Sequence, residues 1–204
     1  MPTPFGRIIP LALIAAVSTA GCQRVSDKTA RPMSMSAMIP AGADYTAADV
    51  AFMQGMIAHH AQALAMTAMA STHGASPNVR LLCQRITNTQ NDEIATMRTW
   101  LQDRHQTVPD SKDTHPMMMP GMLTPAQMQQ LDQAKDTTFD RLFLTFMIQH
   151  HNGALAMVHD LFAMPRAGQA SEMFRYASDV DADQRAEIGR MQQMLNTTQR
   201  SSAK

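Results

Sequence analysis

One segment of this chain occurs twice. DVAFMQGMIAHHAQALAM at 49–66 aligns without a gap to DRLFLTFMIQHHNGALAM at 140–157, and ten of the eighteen positions are identical. The shared residues are Asp49, Phe52, Met56, Ile57, His59, His60, Ala63, Leu64, Ala65 and Met66, each with a counterpart 91 residues on. Further along, QNDEIATMRTWL at 90–101 and QRAEIGRMQQML at 184–195 share Gln, Glu, Ile, Met and Leu at matching places. Each unit therefore holds two segments with apolar residues at helical spacing, which reads as a helical hairpin. Two such hairpins bury their apolar stripes best against each other. The expected fold is all-α, a four-helix bundle built from two repeated hairpins.

Punctuation in the sequence places the elements. Thr46 and Asp49 form a helix start, and the first helix is predicted over 46–72, stopping near Gly74. The second is predicted over 76–104. Pro109, Pro116, Pro120 and Gly121 make 105–123 a Met- and Pro-rich loop that leaves the hairpins free to dock. Thr124-Pro125-Ala126-Gln127 is a capping box with Pro at the first helical position. A long third helix is predicted over 124–163 and a fourth over 169–197. The hairpins then span 46–104 and 124–197, the bundle 45–198, and 199–204 is a tail.

The N-terminal segment reads as an address. Arg7 precedes an apolar run from Ile8 to Val17 that is too short to span a bilayer, so 1–21 is laid out as a secretory signal peptide. Two cleavage readings fit. Ala20-Gly21-Cys22 resembles a lipobox, which would make Cys22 a lipid-modified N-terminus, although Thr19 stands where Leu is usual. Cleavage after Ser18-Thr19-Ala20 is the other. Residues 22–44, small and polar with Met33, Met35 and Met38, read as a flexible tether. The expected location is the periplasm or cell envelope.

Composition narrows the function. The 17 basic and 17 acidic side chains cancel, leaving no footprint for nucleic acid; a membrane would be met only through a lipid anchor. Two Cys cannot make a disulfide scaffold or a zinc ribbon, and no glycine fingerprint for a dinucleotide occurs. The outlier is methionine, 20 in 204 residues.

The His pairs carry the chemistry. His59-His60 and His150-His151 sit mid-helix among apolar residues. Adjacent helical residues point about 100° apart, so one His of each pair can face inward while the other flanks it. Met56 and Met66 bracket the first pair, and Met147 and Met157 the second, putting imidazole nitrogen and thioether sulfur on one side of each helix. Counted from the turns at Gly74 and Gly168, Gln90 and Glu93 lie level with His60, and Gln184 and Glu187 level with His151. A Glu accepting from a metal-binding His would orient its ring and set its tautomer. The competing reading makes the His packed core residues and the Met ordinary filler. Identity of the set in both hairpins, where Val50/Arg141 and Gly55/Phe146 diverge, favours metal.

Donor type selects the metal. Iron in a helical bundle wants several inward carboxylates and Glu-x-x-His, but Thr96 follows Glu93 and Arg190 follows Glu187 at that spacing. Structural zinc would want Cys. Met with His favours copper, above all Cu(I). His115, Met117, Met118, Met119 and Met122 in the Pro-broken loop supply an auxiliary thioether chelate or a docking surface. His73, His105 and His159 are expected in solvent, and Cys83, matched by Ala177, in packing.

MIAHHAQALAM and FDRLFLTFMIQHHNGALAM, each followed by Q-x-x-E-I-x-x-M, resemble the family called "domain of unknown function 305", which includes CopM-like copper-binding proteins. The resemblance covers 45–197, with Asn152 where the family often has Gln. It implies a ferritin-like bundle, an exported location and copper binding linked to metal tolerance, with envelope copper-handling proteins as partners. By motif its ligands are Met56, His59, His60, Met66, Met147, His150, His151 and Met157. No nucleophile pattern supports hydrolysis, and the chain is not expected to be an enzyme. A metal-dependent redox enzyme and a metal-free envelope adaptor stay open.

Overall fold

The computed structural model describes residues 38–110 and 119–202, with side chains up to Thr197. The signal peptide, Cys22, Met33, Met35, His115, Met117 and Met118 lie outside the described residues. The helices are α1 (Ala47–Ala68), α2 (Pro77–Asp103), α3 (Pro125–Gln133), α4 (Asp136–Ala163) and α5 (Ser171–Ser202), with a short 3-10 turn at Met69–Ser71 and no strand among the described residues. α1 packs on α2, α4 on α5, and α1 on α4, whereas α2 and α5 approach each other only loosely. The last helix runs to Ser202, into the stretch expected as a tail.

Side-chain caps start three of the helices, at the places where the sequence put their starts. Thr46 and Asp49 cap each other's backbone at α1, and Thr124 and Gln127 do so at α3. Ser76 caps α2 ahead of Pro77.

Asp49 has a second task. Its Oδ1 accepts from the backbone N–H of Gly168 at 2.7 Å, in the turn of the other hairpin. Its repeat counterpart Asp140 accepts from the N–H of Ser76 at 3.2 Å, in the turn of the first hairpin. Each hairpin thus ties down the other's turn, through carboxylates that are 2% and 7% exposed. The hairpins are strapped to each other rather than free to dock.

The predicted third helix is two helices. Ala134 and Lys135 are extended, and Asp136 takes φ +51°. The cause lies in the first hairpin. The Asp136 N–H donates to the His73 carbonyl at 2.8 Å, and His73 Nε2 donates to the Asp132 carbonyl at 2.8 Å, closing the end of α3. His73 is therefore not in solvent; it is buried and packs against Phe139, the ring centroids 5.1 Å apart and the planes tilted by 46°. His105 and His159 are exposed, as expected.

The core comes as two apolar clusters, and every long helix crosses from one to the other at the same level. One holds Met66, Ile86, Phe143, Met147 and Met191. The other holds Met56, Ile57, Met97, Ala154 and Val180. The residues between them in sequence are His59-His60 on α1, Gln90 and Glu93 on α2, His150-His151 on α4, and Gln184 and Glu187 on α5. A polar layer divides the core. Cys83 packs in the first cluster, its thiol pushed up to about 12 by burial and by Asp140.

Candidate metal centre

All four histidines are fully buried. The His59 and His150 rings meet with centroids 3.8 Å apart and planes tilted 38°, so the two pairs form one layer. His60 and His151 flank them, each with its centroid 6.3 Å from its sequence neighbour. His60 Nε2 donates to Glu93 Oε2 at 2.7 Å, and His151 Nε2 to Glu187 Oε2 at 2.6 Å. The arrangement is two-fold in character, as the repeat demands.

These bonds decide which ring atoms remain for a ligand. A carboxylate or carbonyl only accepts, so the proton on each bonded ring sits on Nε2. His59 Nε2 donates to the Pro120 carbonyl at 3.1 Å. That tautomer leaves the lone pair on Nδ1 of His59, His60 and His151, and all three are buried without a hydrogen-bond partner. Both nitrogens of His150 are equally unpartnered. Polar atoms this deep ordinarily find partners, because leaving them bare costs about 1–3 kcal/mol each.

Burial keeps the central rings neutral. It lowers His59 to about 3, with His60 adding a smaller repulsion. It holds His150 well below the ordinary histidine value, with His59 next in effect. Neutral imidazole is the form that binds metals.

The methionines flank the layer. Met66 and Met147 lie in the cluster on one side of it, and Met56 and the partly buried Met157 in the cluster on the other. Gln90 and Gln184 are 1% exposed; Oε1 of Gln90 and both amide atoms of Gln184 lack partners. Among the described residues no three His, Cys, Asp or Glu side chains converge as a ready cation cage. A soft metal would need thioethers, or ring rotation, to complete its shell. The unpartnered Nδ1 atoms and flanking sulfurs fit such a metal in donor chemistry.

Loop residues 119–123 close the outer face of α1 and α4. Gln62 accepts the N–H of Leu123 at 2.7 Å and donates to its carbonyl at 3.0 Å. Gln149 donates to the Gly121 carbonyl at 3.3 Å. Gly153 is needed here, since a Cβ on it would stand 2.0 Å from the Pro120 oxygen. The Met119 sulfur and Met157 Cε pack into the notch left by Gly55, 3.4 and 3.3 Å from where a Cβ would be. Gly55, Gln62, Gln149 and Gly153 all stand where the two repeats differ, their counterparts being Phe146, Gly153, Ala58 and Gln62. The seat of the loop thus accounts for several breaks in the repeat. Met122 is half-buried and Met38 exposed.

Sequence reading placed the His, Met and Glu residues on the right helices but missed Pro120, Gln62 and Gly153. The mismatch of the repeats at Gln62 and Gly153 was their signal; Pro120 lies outside the repeats.

The sequence pattern described as "Domain of unknown function (DUF305)" matches residues 49–197. Several solved structures are similar. A DUF305 fragment from Deinococcus radiodurans shares 29% identity over 75% of this chain and 98% of its own, with a TM-score of 0.66. A DUF305 protein of Streptomyces coelicolor, described as secreted, shares 27% over 76% and 94%, with a TM-score of 0.65. CopM in its Cu(II)-bound form shares 30% over 73% and 96%, with a TM-score of 0.60; its Cu(I)-bound form gives 0.58. No curated protein sequence matches the chain.

Proposed function

We propose, on the premise that this chain belongs to the DUF305 family, that it is an exported copper-binding protein of the cell envelope. It holds Cu(I), and less tightly Cu(II), for storage or delivery in copper tolerance. The observation that carries this reading is the set of buried, unpartnered Nδ1 atoms on His59, His60, His150 and His151 between two pairs of methionines. The likeness to CopM, solved with Cu(I) and with Cu(II), supports it.

The ligands proposed are those four histidines with Met56, Met66, Met147 and Met157, Met119 being auxiliary. Glu93 and Glu187 orient His60 and His151 and raise their basicity. The fold proposed is a four-helix bundle of ferritin-like kind. Export through the N-terminal signal agrees with the Streptomyces relative described as secreted; a lipid anchor on Cys22 is part of the proposal. No helix among the described residues is long and apolar enough to cross a membrane. The role is binding, not catalysis.

A metal-free adaptor is the second reading, favoured by the satisfied His60–Glu93 and His151–Glu187 bonds. It gives His150 no partner for either nitrogen. Competition titration with a Cu(I) chelator separates the two. Cu(I) should bind far more tightly than Zn(II), and replacing Met56, Met66, Met147 and Met157 with Leu should weaken Cu(I) binding while the chain still folds. Absence of copper binding would leave the adaptor.

A further inference from the structure

The His layer has two approaches, and they are not alike. On the α1–α4 side the loop lies across it, with the Pro120 carbonyl on His59 and Gly121 pressed against Gly153. On the α2–α5 side, where the helices approach loosely, a cleft of about 450 Å³ opens. Asp92, Glu93, Asp179 and Asp183 line it, with Arg175 as the basic side chain on its wall. In a chain with no net charge this is a local excess of negative charge.

Two observations tie the cleft to the buried layer. Glu93 is both a wall of the cleft, 12% exposed, and the acceptor of the His60 Nε2 proton. Tyr176 lines the same cleft, and its hydroxyl is enclosed with no hydrogen-bond partner. Burial and Glu93 raise the Tyr176 hydroxyl well above its usual range, so it stays protonated and leaves the negative charge to the carboxylates. Burial, then Glu93, Glu187 and Asp179, raise the Asp183 carboxyl, the sign of a negative field shared across the cleft.

We propose that this acidic cleft between α2 and α5 is the port through which a hydrated metal cation reaches the histidine layer, gathered by Asp179 and Asp183 and passed inward beside Glu93. The inference rests on the copper-binding reading above. The carboxylates do not converge into a cage of their own, so the port concentrates the ion without retaining it. A charged cleft of this kind raises association rates and loses its effect as salt screens it.

Loading of the full mature chain with aqueous Cu(II), followed by the absorption of the bound ion in stopped flow, tests this. The Asp179→Asn/Asp183→Asn variant changes two exposed side chains and should fold as the parent does. It should load about tenfold more slowly at low salt, with the gap closing at high salt and the number of ions bound unchanged. Gly153→Ala, which unseats the loop on the opposite face, should load at the parent rate. Equal rates for parent and Asn variant, or faster loading of Gly153→Ala, would overturn the port while leaving copper binding intact. A parent that takes up no copper at all would instead overturn the functional reading, and the port with it.

Discussion

The imidazole of His59 lies against that of His150, ring centroids 3.8 Å apart, at the centre of a chain that repeats itself. On either side the repeat supplies a His–Glu bond, His60 to Glu93 and His151 to Glu187. The central rings have no carboxylate to offset a charge. Burial disfavours a charge on either ring, and a neighbouring histidine adds a smaller repulsion, which is why both stay neutral.

This neutrality sets how the metal-free protein responds to acid. His59 titrates near 6.5 when unfolded and at about 3 when folded. Above the unfolded value both states are neutral and stability is full. As pH falls through this window the unfolded state takes a proton that the folded state refuses. Stability should then drop by about 1.4 kcal/mol per pH unit for each proton withheld. Urea denaturation of metal-free protein across that range should show the slope, and His59→Gln/His150→Gln should flatten it. An equal slope in parent and variant would contradict the assignment.

The crossed aspartates should matter to stability out of proportion to their place at helix starts. Asp49→Ala strips the Gly168 N–H of a charged acceptor, and Asp140→Ala does the same to Ser76. Each should cost about 1.5–3 kcal/mol by chemical denaturation. A loss below about 0.5 kcal/mol would place these groups with ordinary surface residues.

Gly153→Ala should separate the loop from the helices. Alanine favours a helix by about 1 kcal/mol over glycine, so α4 should persist. The loop must move, because the new Cβ would occupy the place of the Pro120 oxygen. Hydrogen exchange at the Leu123 amide, which bonds to Gln62, should quicken while helical circular dichroism stays constant. Unchanged exchange would mean the loop is held by other contacts.

How much of this was legible depends on whether a feature was local. The repeat displayed the hairpins, and the matched Glu93 and Glu187 displayed the partners of His60 and His151, because helical counting from a turn carries level information. The break at Ala134–Asp136 was hidden: no Gly or Pro marks it, and its cause is His73 in another hairpin. Asp49 read as a cap, which it is, but its bond to Gly168 spans 119 residues and no local pattern reports that. The division of the core into two clusters was present in the spacing of four helices at once and becomes visible only when they are laid side by side.

On the proposed reading the buried histidine layer, not the methionine loop, binds the metal. Thermal unfolding with and without Cu(I) tests it most directly. A ligand held by the folded core stabilises it by about 2.7 kcal/mol at 100 times its dissociation constant. With Met117, Met118, Met119 and Met122 all replaced by Ser, Cu(I) should still raise the melting temperature. With His59, His60, His150 and His151 all replaced by Gln, it should not, each variant being compared with itself in the absence of copper. A copper-dependent rise that survives in the His variant and vanishes in the loop variant would contradict the account and assign the chemistry to the loop.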